Sequence, residues 1–216
     1  MISLKHFFLV SFVFLSVFAE KTIAAPLTDV NLRAGIISAL KQHPSILGFY
    51  KENEYELIWL KNTKISRQRR AELINSLKTA SFHGLPAKKY QVKELLDRLS
   101  TSDSSFEIGF LEGLLMISFT HYASDINSGV LVPSEVDSDI VRESKLKDPN
   151  FYIQGLISRD PYDYFRSLGP QSSEYSRLLV EKYKLMEVAK HGGWSTLSEG
   201  RVLRFGDFGD DVVALR

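Results

Sequence analysis

The sequence predicts a mainly α protein, an irregular helical bundle around one long buried helix, with little or no β structure. Three observations predict it. Apolar residues recur at spacings of three and four in a succession of segments, most of them closed by Gly or Pro. One run, from Phe106 to about Ile126, carries apolar residues on more than one face and reads as the central helix. The extended pieces that can be read, Leu57–Leu60 and Val130–Val132, are short.

The N-terminal residues differ in character from the rest. Lys5 and His6 precede an apolar run from Phe7 to Phe18, followed by Glu20, Lys21 and the small residues Ala24 and Ala25. A basic start, a brief apolar stretch and a small-residue exit describe a secretory signal peptide over residues 1–25. The run is short for a membrane-spanning helix, which needs about 20 apolar residues. Cleavage after Ala24 and after Ala25 both remain open, and an uncleaved anchor is the alternative. The expected location is therefore exported and periplasmic, with no stable membrane span once the leader is removed.

Thr28-Asp29 then offers an N-cap, with Leu32, Ile36, Ile37 and Leu40 on one face before Pro44. Phe49, Tyr50, Leu57, Ile58, Trp59 and Leu60 form an aromatic and aliphatic block read as a short helix, a turn and an inward-packing extended piece. Ser66 opens a helix through Ala71, Ile74, Leu77 and Ala80, which ends at His83-Gly84, where glycine can adopt the left-handed conformation. A further helix runs from about Gln91 to Leu99. In the central helix Gly109 and Gly113 stand four apart, a spacing that permits close helix approach. Residues 134–150 are polar and read as a surface excursion. Helices follow at Asp160–Leu168 and, capped by Ser172-Ser173, from Tyr175 to Ala189, which stops at Gly192-Gly193. Asp210 caps a last helix beginning at Val212, and the sequence looks cut inside it.

Composition sets limits on function. With 44% hydrophobic residues, the chain can bury one sizeable core. The net charge of +1 implies no basic face, and the only tight cationic cluster, Arg67, Arg69 and Arg70, reads as a solvated helix surface, so no nucleic-acid partner is expected. The chain has no cysteine, so it carries neither a thiol nucleophile nor a thiolate metal site.

Several motifs occur in a fixed order. Phe49-Tyr50 is followed by Trp59-Leu60, then Ala80 with His83-Gly84-Leu85 and Tyr90. Thr120-His121-Tyr122-Ala123 leads to Asp125 and Gly129. Pro170 precedes Tyr175 and Leu178-Leu179, and Gly192-Gly193-Trp194 comes after. Together these resemble the scaffold region of the large periplasmic L,D-transpeptidases that crosslink peptidoglycan. Leu203, Gly206, Asp210, Val212, Leu215 and Arg216 resemble the opening of a peptidoglycan-binding-like module. The resemblance implies a signal peptide at 1–25, a scaffold-like helical domain at 26–199 and a truncated binding-like module at 200–216. It further implies a non-catalytic part of a crosslinking protein, with peptidoglycan or cell-wall proteins as partners and with no cofactor. The family's catalytic cysteine motif has no counterpart in this chain.

The candidate residues are few. His83 sits where a helix end favours a cation and reads as a cap. His121 and Asp125 lie four apart on one helix face and can hydrogen-bond, but two groups do not make a metal site. Tyr122 and Trp194, with Tyr50 and Tyr175, could stack on sugars or fill the core. Trp194, Tyr122, His121 and Asp125 are therefore the possible glycan or structural contacts. Glu112, on the central helix, is costly to bury unpaired and is the one candidate general acid of a lytic wall hydrolase. A periplasmic adaptor that recruits a partner through its exposed C-terminal apolar face is the other alternative.

Overall fold

The computed structural model describes residues 29–131, 133–137, 139, 146–193 and 202–215. The predicted leader and Trp194 lie outside the described residues. No strand occurs among them, and the mainly α class stands.

The helices are α1 (Val30–Leu40), α2 (Pro44–Glu52), α3 (Lys64–Lys78), α4 (Val92–Thr101), α5 (Ser105–Ser128), α6 (Pro133–Val136), α7 (Pro149–Ser158), α8 (Pro161–Leu168), α9 (Ser173–Lys190) and α10 (Asp210–Leu215). Two single 3₁₀ turns, Ala80–His83 and Ala87–Tyr90, link α3 to α4. Their starts follow from side chains that satisfy otherwise orphaned N–H groups. Asp29 accepts from Asn31, Asp148 from Asn150 and Asp160 from Asp163. Ser104 and Glu107 form a reciprocal capping box at the head of α5. The third helix begins two residues before the expected Ser66, because Thr63 is the cap and takes the Ser66 N–H at 3.2 Å.

α5 is the axis of the molecule. It touches α1, α4, α7 and α8, and buries Leu111, Leu115, Met116, Phe119 and Ala123 completely or nearly so. α1 runs alongside it in the same direction, with Leu32 against Gly109, Ala39 against Gly113 and His43 against His121. The approach is backbone on backbone. A Cβ at Gly109 would stand 2.0 Å from the Leu32 carbonyl oxygen, and one at Gly35 would stand 2.1 Å from that of Phe106. The pair of glycines in α5 thus has the role its spacing suggested.

α7 has no counterpart in the sequence expectations. Asp148 and Pro149 start it, and Tyr152, Ile153 and Leu156 enter the core. α9 is the opposite case. The helix forms as expected, yet none of its residues is buried.

Candidate functional site

Between α2 and α3 the chain makes an irregular return. Glu54 and Tyr55 take left-handed backbone angles (φ 51° and 60°), and the Tyr55 N–H donates to the Tyr50 carbonyl at 2.7 Å. Two consecutive residues in that region reverse the chain without glycine, at a backbone cost that surrounding contacts must offset. Tyr55 is nearly buried, with the Arg33 guanidinium 4.4 Å above its ring.

The reversal delivers residues 58–60 to Glu112 on α5. One carboxylate oxygen accepts from Tyr50 Oη at 2.7 Å and from the Ile58 N–H at 2.7 Å. The other accepts from the Leu60 N–H at 2.9 Å, and the Trp59 N–H lies within 3.2 Å of both. Arg69 and Arg70 of α3 hold the opposite side of the same segment. Arg69 reaches the Ile58 and Ile157 carbonyls at 3.5 and 3.4 Å, and Arg70 donates to the Trp59 carbonyl. The loop's N–H groups therefore face an acid and its carbonyls face two guanidinium groups.

Two sequence expectations are corrected here. Glu112 has no exposed surface and both its oxygens are engaged, so a scissile bond has no access to it and the general-acid role fails. Burial pushes its carboxyl above the usual range, while the Tyr50 hydroxyl and the three backbone donors pull it back. Nor is the Arg67, Arg69, Arg70 cluster a solvated surface throughout: Arg69 is 8% exposed, drawn inward to the loop carbonyl of Ile58 and to that of Ile157 near the end of α7.

Near the other end of α5, Asp125 and His121 share a face but serve different partners. Asp125 accepts from Lys89 Nζ at 2.7 and 2.9 Å and from Tyr90 Oη at 2.8 Å. His121 instead sets its ring edge-on to His43 at 5.8 Å. Burial holds the His121 imidazole below its ordinary pKa, and the neighbouring His43 and Lys89 act in the same direction. Lys89, Tyr90, Gln91, Glu94 and His121 border a small cavity of about 240 Å³. Tyr122 is buried, its ring edge-on to Tyr90 at 6.0 Å, so it presents no face to a sugar. Tyr50 is likewise enclosed. Among the described residues no group of three His, Asp or Glu side chains could hold a metal ion.

His83 and Tyr175 form the joint of α9. His83 Nδ1 lies 2.7 Å from Tyr175 Oη with the two rings stacked. Lys182 Nζ donates to the Ser81 and Phe82 carbonyls, and Tyr183 rests against Phe82 at 5.6 Å. His83 thus precedes Gly84 (φ 80°) as expected, but its ring reaches across the chain to α9.

Chemically, the arrangement positions backbone, and among the described residues it does not assemble a nucleophile with a base. The sequence missed the partners of Glu112 because backbone N–H groups have no residue-type signature. The one available signal was an acid within the longest apolar helix. In comparison with known families, the sequence matches the one described as Scaffold domain over residues 44–181. No curated protein and no solved structure matches the chain.

Proposed function

The chain belongs to the scaffold-domain family, and from that membership we propose that it is the non-catalytic scaffold portion of a cell-wall L,D-transpeptidase-like protein, exported to the periplasm. The single observation that carries the scaffold part of the reading is the family match across residues 44–181, which covers the Glu112 lock, the Asp125 cluster and the His83–Tyr175 pair together. The ordered motifs from Phe49-Tyr50 to Gly192-Gly193-Trp194 support the link to peptidoglycan crosslinking. The leader-like residues 1–25 support export. Without a cysteine, this chain has no thiol to take up an acyl group from a peptide stem. Its part is to hold other elements in register over the wall polymer.

Purified protein mixed with isolated sacculi should pellet with them, and mixed with muropeptides it should exchange no stems. Protein left wholly in the supernatant, or stem exchange by the protein alone, would overturn the reading. A second reading, a periplasmic adaptor, is favoured by one observation: Val202, Phe205, Phe208, Val213 and Leu215 are all strongly exposed near the C-terminus. Chemical cross-linking in cells that joins this segment to a wall enzyme, with no retention on bare sacculi, would favour the adaptor.

A further inference from the structure

We propose that the groove between α7 and α8 binds a short, extended peptide carrying free carboxylates. Naming that peptide a cell-wall stem rests on the wall reading above; its acidic chemistry does not.

The groove has a volume of about 530 Å³, within the range of about 300–1,000 Å³ common for ligand sites. One wall is a single stripe of α7 and its flanks: Lys147, Asn150, Phe151, Gln154, Ser158 and Arg159. Within α7, Asn150 or Phe151, then Gln154, then Ser158 stand three or four apart and share one helix face, and Lys147 and Arg159 flank its two ends. Over the ten residues of α7 that face is about 15 Å long, the span of about four or five extended residues.

The floor is fixed. A side chain at Gly155 would stand 2.4 Å from the Tyr164 ring, so glycine lets that ring lie directly on the α7 backbone. There Tyr164 Oη donates to the Tyr152 carbonyl at 2.8 Å.

Charge gives the groove its selectivity. Among the described residues no Asp or Glu lines it, while a cation stands at each end of α7. Lys147 Nζ sits 4.4 Å over the Phe151 ring, and the Arg159 guanidinium carbon lies 5.7 Å from the Tyr164 centroid. Aromatic faces thus orient both groups, and neither forms a salt bridge among the described residues. The adjacent acids are occupied elsewhere: Asp148 accepts from Ser45 and the Asn150 N–H, and Asp160 caps α8.

A saccharide fits less well. Tyr152 and Tyr164 are 1% and 5% exposed, and Lys147 covers one face of Phe151. Phe151, 58% exposed, is the one open ring among the described lining residues, and with one face taken it offers a sugar little to stack on.

The test is titration calorimetry of the purified protein with a synthetic stem tetrapeptide, the same peptide with its carboxylates amidated, and peptide-free glycan. The tetrapeptide should bind, more weakly as salt rises. Lys147→Gln and Arg159→Gln should each raise its Kd by about tenfold, the scale of one charge-assisted contact. Arg177→Gln, on the exposed face of α9, should leave the Kd unchanged. Circular dichroism melts confirm that each variant is folded. Equal affinity for the amidated peptide, unchanged Kd in both groove variants, or no binding would overturn the assignment. Sacculus retention without tetrapeptide binding removes the groove assignment and leaves the wall reading. Tetrapeptide binding without sacculus retention removes the wall reading and leaves an acidic-peptide site.

Discussion

A carboxylate taken wholly out of water is costly unless donors meet its lone pairs. Glu112 meets four, three of them from consecutive backbone N–H groups. The dependence is mutual, since those N–H groups belong to a loop with no ladder of its own. Glu112→Gln keeps the shape but turns an NH₂ toward a backbone donor, which should cost about 1–3 kcal/mol. Glu112→Ala leaves the N–H groups orphaned and opens a cavity, and should cost about 3 kcal/mol or more. Urea titration followed by circular dichroism measures both. A change below about 0.5 kcal/mol in the alanine variant, the range of an ordinary surface substitution, would contradict the lock.

Whether a glycine in a helix weakens or permits the fold depends on what its missing Cβ would meet. Alanine is favoured over glycine in a helix by about 1 kcal/mol. At Gly48 in α2 nothing lies within 4 Å, so Gly48→Ala should raise stability by a fraction of that. At Gly109 the new carbon would stand 2.0 Å from a backbone oxygen, which no rotamer change relieves. Gly109→Ala should therefore destabilise by about 1–3 kcal/mol despite the propensity gain. Thermal melts of the two variants should move in opposite directions. The joint of α9 is sensitive to pH instead. Burial and the Lys182 ammonium hold His83 below its ordinary value of 6.5. The folded joint thus binds fewer protons than the loosened one in the interval below 6.5, so its stability falls as pH drops through that interval. Amide exchange over residues 173–190, corrected for the intrinsic pH dependence of exchange, should accelerate below pH 6.5 in the natural protein. His83→Asn should abolish that pH dependence. At this scale the sequence was informative wherever a cap, a stop and a period coincided, as in α1, α5 and α8. It failed for α7, because the polar stretch at 134–150 obscured Asp148-Pro149, a start signal as good as the one at α8. It placed a turn between Tyr50 and Leu57 but not the left-handed angles of Glu54 and Tyr55 that make it, since neither residue is one that favours them.

The molecule as a whole divides into a core organised on α5 and a helix resting on it. Because α9 buries none of its residues, a shortened chain ending at Ser172 should still unfold cooperatively, with a melting temperature within a few degrees of the full chain. Loss of a cooperative transition would show that α9 is integral to the core. The candidate site was less legible than the fold for a reason that operates at this scale. Periodicity reports which faces turn inward, whereas Lys147 with Arg159, or Glu112 with residues 58–60, meet only through the packing of distant elements. The attachment of α9 has one further consequence. The His83–Tyr175 pair, the Lys182 contacts and the Tyr183–Phe82 contact all converge on residues 81–83, so the helix is fastened to one short segment along its first three turns. Its 18 residues extend about 27 Å. The eight residues beyond Lys182 extend about 12 Å free of that attachment, so a tilt of about 10° there carries the far end about 2 Å. Whatever follows Lys190 would then be aimed by the contacts that residues 81–83 make with α9, among which His83 is the titratable one and the place to alter reach without altering the core.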